Sequence, residues 1–247
     1  MSDLREQNTV CGIDGCGPAA TEIAARSKTP TSTRRHQIII VSDVICPWCY
    51  IAKKHLDQAF AMTSSADQFA VTWIPYELNP SMPREGTDRR TYRSRKFGSW
   101  EQSQQLDAQV ASAAKSAGLE FRHDLMLRTP NTFNAHRLIW FAEQQGVQDA
   151  VVEAVFKAYF TEGRDVGDIA TLVDIAAEAG VDRATASAFL RSDAGTAEVK
   201  QEESIAVQNR IDGVPTFILD GQPIFSGARK PDVIALYLNA AMDSHAK

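Results

Sequence analysis

The sequence has no excess of basic residues and no long apolar run. Its 26 Lys and Arg residues are outnumbered by 31 Asp and Glu residues, which gives a net charge of −5 at pH 7. A protein that coats nucleic acid usually carries a strong basic excess, so the sequence predicts no nucleic-acid partner. No stretch approaches the roughly 18 uninterrupted apolar residues of a membrane helix, so a membrane span is excluded as well.

The N-terminal segment lacks the apolar core of a secretory signal, and it is instead polar and rich in glycine. We therefore expect a cytoplasmic protein. Cysteine is also scarce, because the 247 residues contain only four, in two close pairs: Cys11 with Cys16 and Cys46 with Cys49. Four are too few for a disulfide-stapled scaffold. In a reducing compartment, paired cysteines indicate redox chemistry or metal binding.

Hydrophobic patterning predicts a strand, a helix and a strand in the first part of the chain. The segment 37–43 is β-branched and almost wholly apolar at its centre, as in a strand buried on both faces. A helix is predicted from Pro47, and a second strand over 69–76. Near the other end, Asp220-Gly221 between two apolar runs predicts a β-hairpin, which a helix over 231–241 follows.

The middle of the chain has helical periodicity. Ser99 and Gln102 form a capping-box start for a helix that Gly118 ends. Further helices are predicted over 132–145, 149–161, 168–179, 182–191 and 195–210. A largely helical block therefore spans about 84–192.

Cys46-Pro47-Trp48-Cys49 directly follows a predicted strand and opens a predicted helix. The unpaired amides and positive dipole end of a helix N-terminus favour a thiolate at Cys46, which predicts that Cys46 is the nucleophile. Cys49 lies one helical turn later, close enough to form a disulfide, and would act as the resolving thiol. Two structural core cysteines are the alternative interpretation.

Several ordered segments carry a family resemblance: residues 42–50, 76–80, 131–138, 212–217 and 226–228. They are similar to the motifs of the DsbA-like thioredoxin family, in its FrnE-type branch. The resemblance runs from about 38 to 241 and implies an α/β protein, a thioredoxin fold with an inserted all-helical domain. On this basis the chain divides into a flexible leader (1–36), a thioredoxin-like domain (37–83 and 193–247) and a helical insertion (84–192).

The resemblance also implies the activity and the substrate-binding residues. It implies dithiol–disulfide exchange with a thiol- or disulfide-containing protein or small molecule. A cis bond between Val214 and Pro215 would leave the Val214 backbone free to pair with an extended substrate; the alternative is a simple strand-entry proline. Asn134 and His136 would face the cleft. His136 would orient substrate or supply a proton, or else take part in a capping network at the domain junction.

Trp48 stands between the cysteines, where strongly oxidising DsbA proteins usually carry His. It is also a candidate substrate-binding residue. Tryptophan offers the Cys46 thiolate neither a cation nor an imidazole donor. The reduced form should therefore be less stabilised, and we expect a redox potential less oxidising than that of DsbA.

Related branches of the family leave a second function open. Glutathione-dependent 2-hydroxychromene-2-carboxylate isomerases and kappa-class glutathione transferases resemble this chain but typically carry Ser at the position of Cys46. The cysteine favours disulfide exchange, which requires no metal or organic cofactor, and leaves glutathione open as a substrate or co-substrate. We expect a monomer or a homodimer.

Cys11 and Cys16 lie outside the resemblance. Two glycines between them could close a small disulfide loop, which makes the pair a candidate auxiliary redox pair for Cys46 and Cys49. The four thiolates could alternatively form a structural zinc-binding module. Their spacing fits poorly, since common paired-ligand sites use tighter knuckles and shorter separations.

Overall fold

A computed structural model of the chain describes residues 36–64 and 66–245. The leader predicted at the N-terminus, with Cys11 and Cys16, lies outside these residues. In the described part, β1, β2, β5 and β6 form a four-stranded sheet in the order β2-β1-β5-β6. These strands are His36–Ser42, Phe69–Pro75, Thr216–Leu219 and Gln222–Ser226. β1 is parallel to β2 and antiparallel to β5, and β5 is antiparallel to β6.

The two faces of β1 pack into different apolar clusters. Ile38 and Ile40 belong to the main core, whereas Ile39 and Val41 point to a smaller cluster on the other face of the sheet. Each of the four is at most 4% exposed. Burial on both faces explains why this central strand has an uninterrupted apolar sequence rather than an alternating one.

The helices α1, α8 and α9 are Pro47–Ala61, Thr196–Gln208 and Pro231–His245. α9 packs against α1, and α8 packs against β2. The hairpin predicted at Asp220-Gly221 is confirmed, with positive φ values of 49° and 81° at these two residues, as a type I′ turn requires. The described part contains no helix that is both long enough and apolar enough to cross a membrane.

The helices α2 to α7 lie between β2 and α8 in the chain. They are Arg89–Phe97, Trp100–Ser116, Phe133–Gln144, Gln148–Phe160, Ile169–Glu178 and Arg183–Arg191. A short antiparallel ladder of β3 (Thr87–Asp88) and β4 (Arg128–Thr129) accompanies them. The insertion therefore includes two two-residue strands in addition to helices. The chain is a mixed α/β protein with a thioredoxin fold and a helical insertion.

Sequence patterning did not predict α2. Its sequence is dominated by basic residues and has no apolar stripe. Its inner face is polar instead, because the Arg89 and Arg93 guanidinium groups bind the two carboxylate oxygens of Asp107, at 2.8 and 2.7 Å. Asp88 caps the helix by accepting a hydrogen bond from the Thr91 amide. The ion pairs take the place of the apolar contacts that usually indicate a helix.

A buried lysine attaches α1 to α5 of the insertion. Lys53 on α1 is 3% exposed, and its Nζ lies 3.2 Å from Asp149 and 3.3 Å from Glu153, both on α5. Asp57, on the same helix as Lys53, is a third partner at 3.4 Å. A buried ammonium ion needs such partners, since an unpaired buried charge is strongly destabilising. The helix that carries the CxxC motif is therefore held by the insertion as well as by the sheet.

A buried arginine holds the end of α7 and the segment that leads to α8. Arg137 on α4 is 4% exposed and donates hydrogen bonds to a set of backbone carbonyls. The acceptors are Phe189, Leu190, Ser192 and Ala194. These carbonyls come from the last turn of a helix and the connection after it, where the regular series of intrahelical donors ends.

Replacing Arg137 with Met should destabilise the protein, because it removes the guanidinium hydrogen bonds that these carbonyls accept. We expect the free energy of unfolding to fall by about 3 kcal/mol or more, measured by urea denaturation. Arg191→Met is the matched control on an exposed site, where we expect a change below about 0.5 kcal/mol. Equal losses in the two variants would contradict the structural role given to Arg137.

Candidate active site

Cys46 and Cys49 lie where the carboxyl end of β1 leads into α1. Cys46 is the N-cap residue of the helix and Pro47 follows at its first position, where the missing amide hydrogen costs nothing. Cys46 is 5% exposed and Cys49 is fully buried. Both are free cysteines in this structure. The pair therefore has an outer and an inner member, as the assignment of nucleophile and resolving thiol requires.

The Val214–Pro215 segment lies directly beside Cys46. The peptide bond between Val214 and Pro215 is cis, as the family resemblance implied. The Cys46 thiol donates a hydrogen bond to the Val214 carbonyl oxygen at 3.6 Å. The reactive sulfur is thus in contact with the backbone segment to which substrate pairing was assigned.

The environment of Cys49 disfavours its thiolate. Burial raises the pKa of Cys49 well above its usual value, and the neighbouring Cys46 raises it further. The Ser42 side chain and the Asp43 backbone act in the opposite direction through hydrogen bonds to the sulfur. Cys49 is therefore held as a thiol near neutral pH and needs help to lose its proton.

Asp43 is a fully buried carboxylate at the end of β1. Its carboxylate accepts a hydrogen bond from the Leu78 amide at 2.7 Å, and its backbone carbonyl accepts one from the Cys46 amide at 3.0 Å. The imidazole of His136 on α4 is 3% exposed, with Nε2 3.5 Å from the Asp43 carboxylate. The insertion therefore reaches the back of the reactive pair through this histidine.

Glu77 and Glu203 complete a set of acid–base groups at the same place. Glu77 follows β2 and Glu203 lies on α8. Burial, and then the charge of Glu203, raise the pKa of Glu77 to about 7. Burial also raises the pKa of Glu203. Burial lowers the pKa of His136, but Asp43 and the two glutamates outweigh it and raise the pKa overall.

The other predicted site residues lie on α1 and α4. Trp48 is 42% exposed at the start of α1. Asn134 is half-buried on α4, and its side-chain oxygen accepts a hydrogen bond from Arg137 at 2.9 Å. His136 lies behind the dithiol with its ring enclosed. Substrate contact by Trp48, Asn134 and His136 stays a prediction.

Sequence reasoning missed Asp43, Glu77 and Glu203 as functional residues. Asp43 and Glu77 come just after the two neighbouring parallel strands β1 and β2, where Ser42 is aligned with Pro75. Carboxyl ends of adjacent parallel strands meet at one edge of a sheet. Their positions after the strands could therefore have placed these two acids together, whereas no local signal identifies Glu203. Among the described residues, no group of three or more His, Cys, Asp or Glu is arranged to hold a metal ion.

Comparison with known proteins identifies the family of the chain. The family model of the DSBA-like thioredoxin domain matches residues 37–239. The chain belongs to the DSBA-like thioredoxin domain family. It is similar to the uncharacterized protein YwbO of Bacillus subtilis (strain 168), at 29% identity over 197 residues, which cover 79% of this chain and 92% of YwbO.

Two solved structures are similar to this chain. The probable DsbA oxidoreductase of Streptomyces coelicolor shares 31% identity, with a TM-score of 0.77, over 85% of this chain and 91% of that one. The cytosolic disulfide reductase DsbM of Pseudomonas aeruginosa, solved with GSH, shares 19% identity, with a TM-score of 0.61, over 84% and 99%. At 19% identity, the similarity to DsbM concerns the fold alone.

The exposed position of Trp48 makes its effect on the redox potential testable with little risk to the fold. We expect a potential clearly more negative than the roughly −120 mV of DsbA. Trp48→His should make the potential less negative by roughly 30 mV or more, because an imidazole can stabilise the Cys46 thiolate. Redox titration against glutathione measures both values.

Trp48→Phe is the matched control, since it keeps an aromatic ring without adding a cation or an imidazole donor. Its potential should equal that of the unchanged protein. A potential as high as that of DsbA in the unchanged protein would contradict the role given to Trp48.

Proposed function

We propose that this chain is a thiol–disulfide oxidoreductase that acts through Cys46 and Cys49 on thiol- or disulfide-containing proteins or small molecules. The proposal rests on the difference between the environments of Cys46 and Cys49. Cys46 caps a helix of 15 residues beside the Val214 carbonyl, whereas Cys49 is enclosed and has a raised pKa. Disulfide exchange needs one sulfur for the substrate and a second, protected one to release it.

In the reducing direction, the Cys46 thiolate attacks a substrate disulfide and expels one substrate thiolate. Cys49 then loses its proton and attacks Cys46, which releases the second substrate sulfur and leaves a disulfide between Cys46 and Cys49. Oxidation of a substrate dithiol reverses these steps. Cys46, at the helix N-terminus, is therefore the attacking sulfur in the reducing direction and leaves as the thiolate in the last step of the oxidising direction.

The substrate is proposed to lie across Val214 and Pro215, with its backbone paired to Val214 and its sulfur at Cys46. Trp48, which is 42% exposed, would cover one side of the bound segment. Asn134 would line the cleft from the insertion. A monomer or a homodimer in the cytoplasm is proposed; DsbM, with a similar fold, is described as cytosolic.

A glutathione-dependent isomerase or transferase is the alternative for this fold. Cysteine rather than serine at position 46 favours disulfide exchange. Glutathione itself is a suitable small-molecule partner in that exchange, because its thiol can form a mixed disulfide with Cys46. No metal or organic cofactor is needed for the proposed reaction. A four-cysteine zinc site would require Cys11 and Cys16, which lie outside the described residues.

Replacing each cysteine separately tests the proposal. Cys46→Ser should reduce disulfide-reductase turnover with a disulfide-bonded peptide to the uncatalysed level, because the attacking thiolate is lost. Cys49→Ser should instead accumulate a covalent adduct between Cys46 and the substrate, detected by intact-protein mass, because no resolving thiol remains. Normal turnover of Cys46→Ser would refute the assignment.

The auxiliary role of Cys11 and Cys16 is a separate prediction. If this pair exchanges with the main one, mild oxidation of Cys49→Ser should trap a disulfide between Cys46 and Cys11 or Cys16, located by peptide mass mapping. A Cys49→Ser protein that also carries Cys11→Ser and Cys16→Ser is the control and should lack the linkage. Complete absence of the linkage in Cys49→Ser would end the relay hypothesis, and stoichiometric zinc in the reduced protein would favour the zinc-binding module.

A further inference from the structure

Unsatisfied buried polar atoms concentrate behind the reactive pair. In the described part of the chain, four buried side-chain oxygen or nitrogen atoms have no hydrogen-bond partner. Three of them belong to Glu77, His136 and Glu203, beside the buried carboxylate of Asp43. Buried polar groups are nearly always hydrogen-bonded, so three exceptions at one place call for a functional explanation. We refer to Asp43, Glu77, His136 and Glu203 as the acid–base cluster.

The composition of the acid–base cluster suits proton exchange near neutral pH. Three carboxyl groups surround one imidazole, and each of the four comes from a different part of the fold: the end of β1, the loop after β2, α4 and α8. Lys200 on α8 is a cation whose charge acts on both glutamates. Close carboxyl groups cannot all ionise together, so the cluster retains a proton that it can give up or replace.

A small cavity lies between Ser42 and His136 of the acid–base cluster. Its volume is about 10 Å³, which is room for one water molecule. Two polar residues, Ser42 and His136, contribute to its wall, and the remainder of the wall is apolar. The Ser42 side chain is also a hydrogen-bond partner of the Cys49 sulfur. One wall residue therefore touches the resolving thiol and the other belongs to the cluster.

Cys49 has no direct route to solvent for its proton. Its side chain is fully buried, and its burial opposes the thiolate that the resolving step needs. General-base assistance by a positioned group typically contributes about 10²- to 10⁴-fold in rate. A path from Ser42 through the cavity leads to His136, which belongs to a cluster of groups that can hold the proton near neutral pH.

We propose that the proton of Cys49 passes through Ser42 and one water molecule in this cavity to His136, and that the acid–base cluster holds it. The inference rests on the proposed disulfide-exchange function. The Cys49 S–H bond breaks and its electron pair forms the bond to Cys46. The bond between Cys46 and the substrate sulfur breaks, and its electron pair leaves with the substrate thiolate. The proton stays in the cluster until it passes to the released thiolate or to solvent.

Ellman's reagent separates the two steps of this reaction in a stopped-flow experiment. The reduced protein, in excess, releases one thionitrobenzoate when Cys46 attacks and a second when Cys49 resolves the mixed disulfide. In the unchanged protein, the rate of the second step should rise with pH and level off above about 7, where Glu77 is ionised and can accept the proton.

Substitutions that interrupt the path should affect only the second step. Glu77→Gln should slow it roughly tenfold or more at pH 8 and remove the levelling-off, so that the rate continues to rise with pH. Ser42→Ala should slow the second step while keeping the inflection, because the cluster remains intact. Glu198→Gln, an exposed change on α8, is the matched control and should follow the unchanged protein.

The outcomes separate this inference from the proposed function. A first step that is absent in the unchanged protein would refute disulfide exchange itself. A normal first step, with a second step in Glu77→Gln that keeps the rate and pH profile of the unchanged protein, would overturn the proton path alone.

If Glu77→Gln does not fold, the solvent isotope effect on the unchanged protein decides the matter. Transfer through several hydrogen bonds should make the second step markedly slower in D₂O than in H₂O, whereas the first step should change little. Equal isotope effects on the two steps would contradict the path.

Discussion

The buried carboxylate of Asp43 joins the chain segments that make the site. It accepts a hydrogen bond from the Leu78 amide and lies 3.5 Å from His136, while its backbone contacts both Cys46 and Cys49. Burying a carboxylate is costly unless hydrogen bonds and charges compensate for it. The end of β1, the loop after β2, the start of α1 and α4 must therefore adopt one arrangement together, and the dithiol is fixed by that arrangement.

Much of the fold could be predicted because its signals are local. The apolar run of β1, the Cys46-Pro47 start of α1 and the Asp220-Gly221 turn each report the conformation of a few neighbouring residues. The same holds for the reactive pair, whose spacing and place at a helix start are visible in the sequence. The family resemblance predicted the cis bond before Pro215. The low frequency of cis bonds before proline in folded proteins would not have predicted it.

Features that depend on contacts between distant residues could not be predicted in this way. α2 is held by Arg89 and Arg93 against Asp107, so its stabilising partner lies in another helix. Glu203 approaches Glu77 only because α8 packs against β2. The local sequence pattern of either element does not predict this contact. The histidine of the insertion was recognised as a candidate, but its carboxylate partner across the domain junction was not.

The attachment of Lys53 to α5 determines which parts of the molecule can move when substrate binds. Pulling α1 away from α5 would separate Lys53 from two of its three carboxylate partners, so we expect the two helices to move together. Rotation of the whole insertion about its connections at 76–86 and 192–195 would carry α5 away from α1 and break this contact. Opening of the cleft must therefore come from parts of the insertion other than α5, which leaves the sulfur atoms and their supporting helix undisturbed.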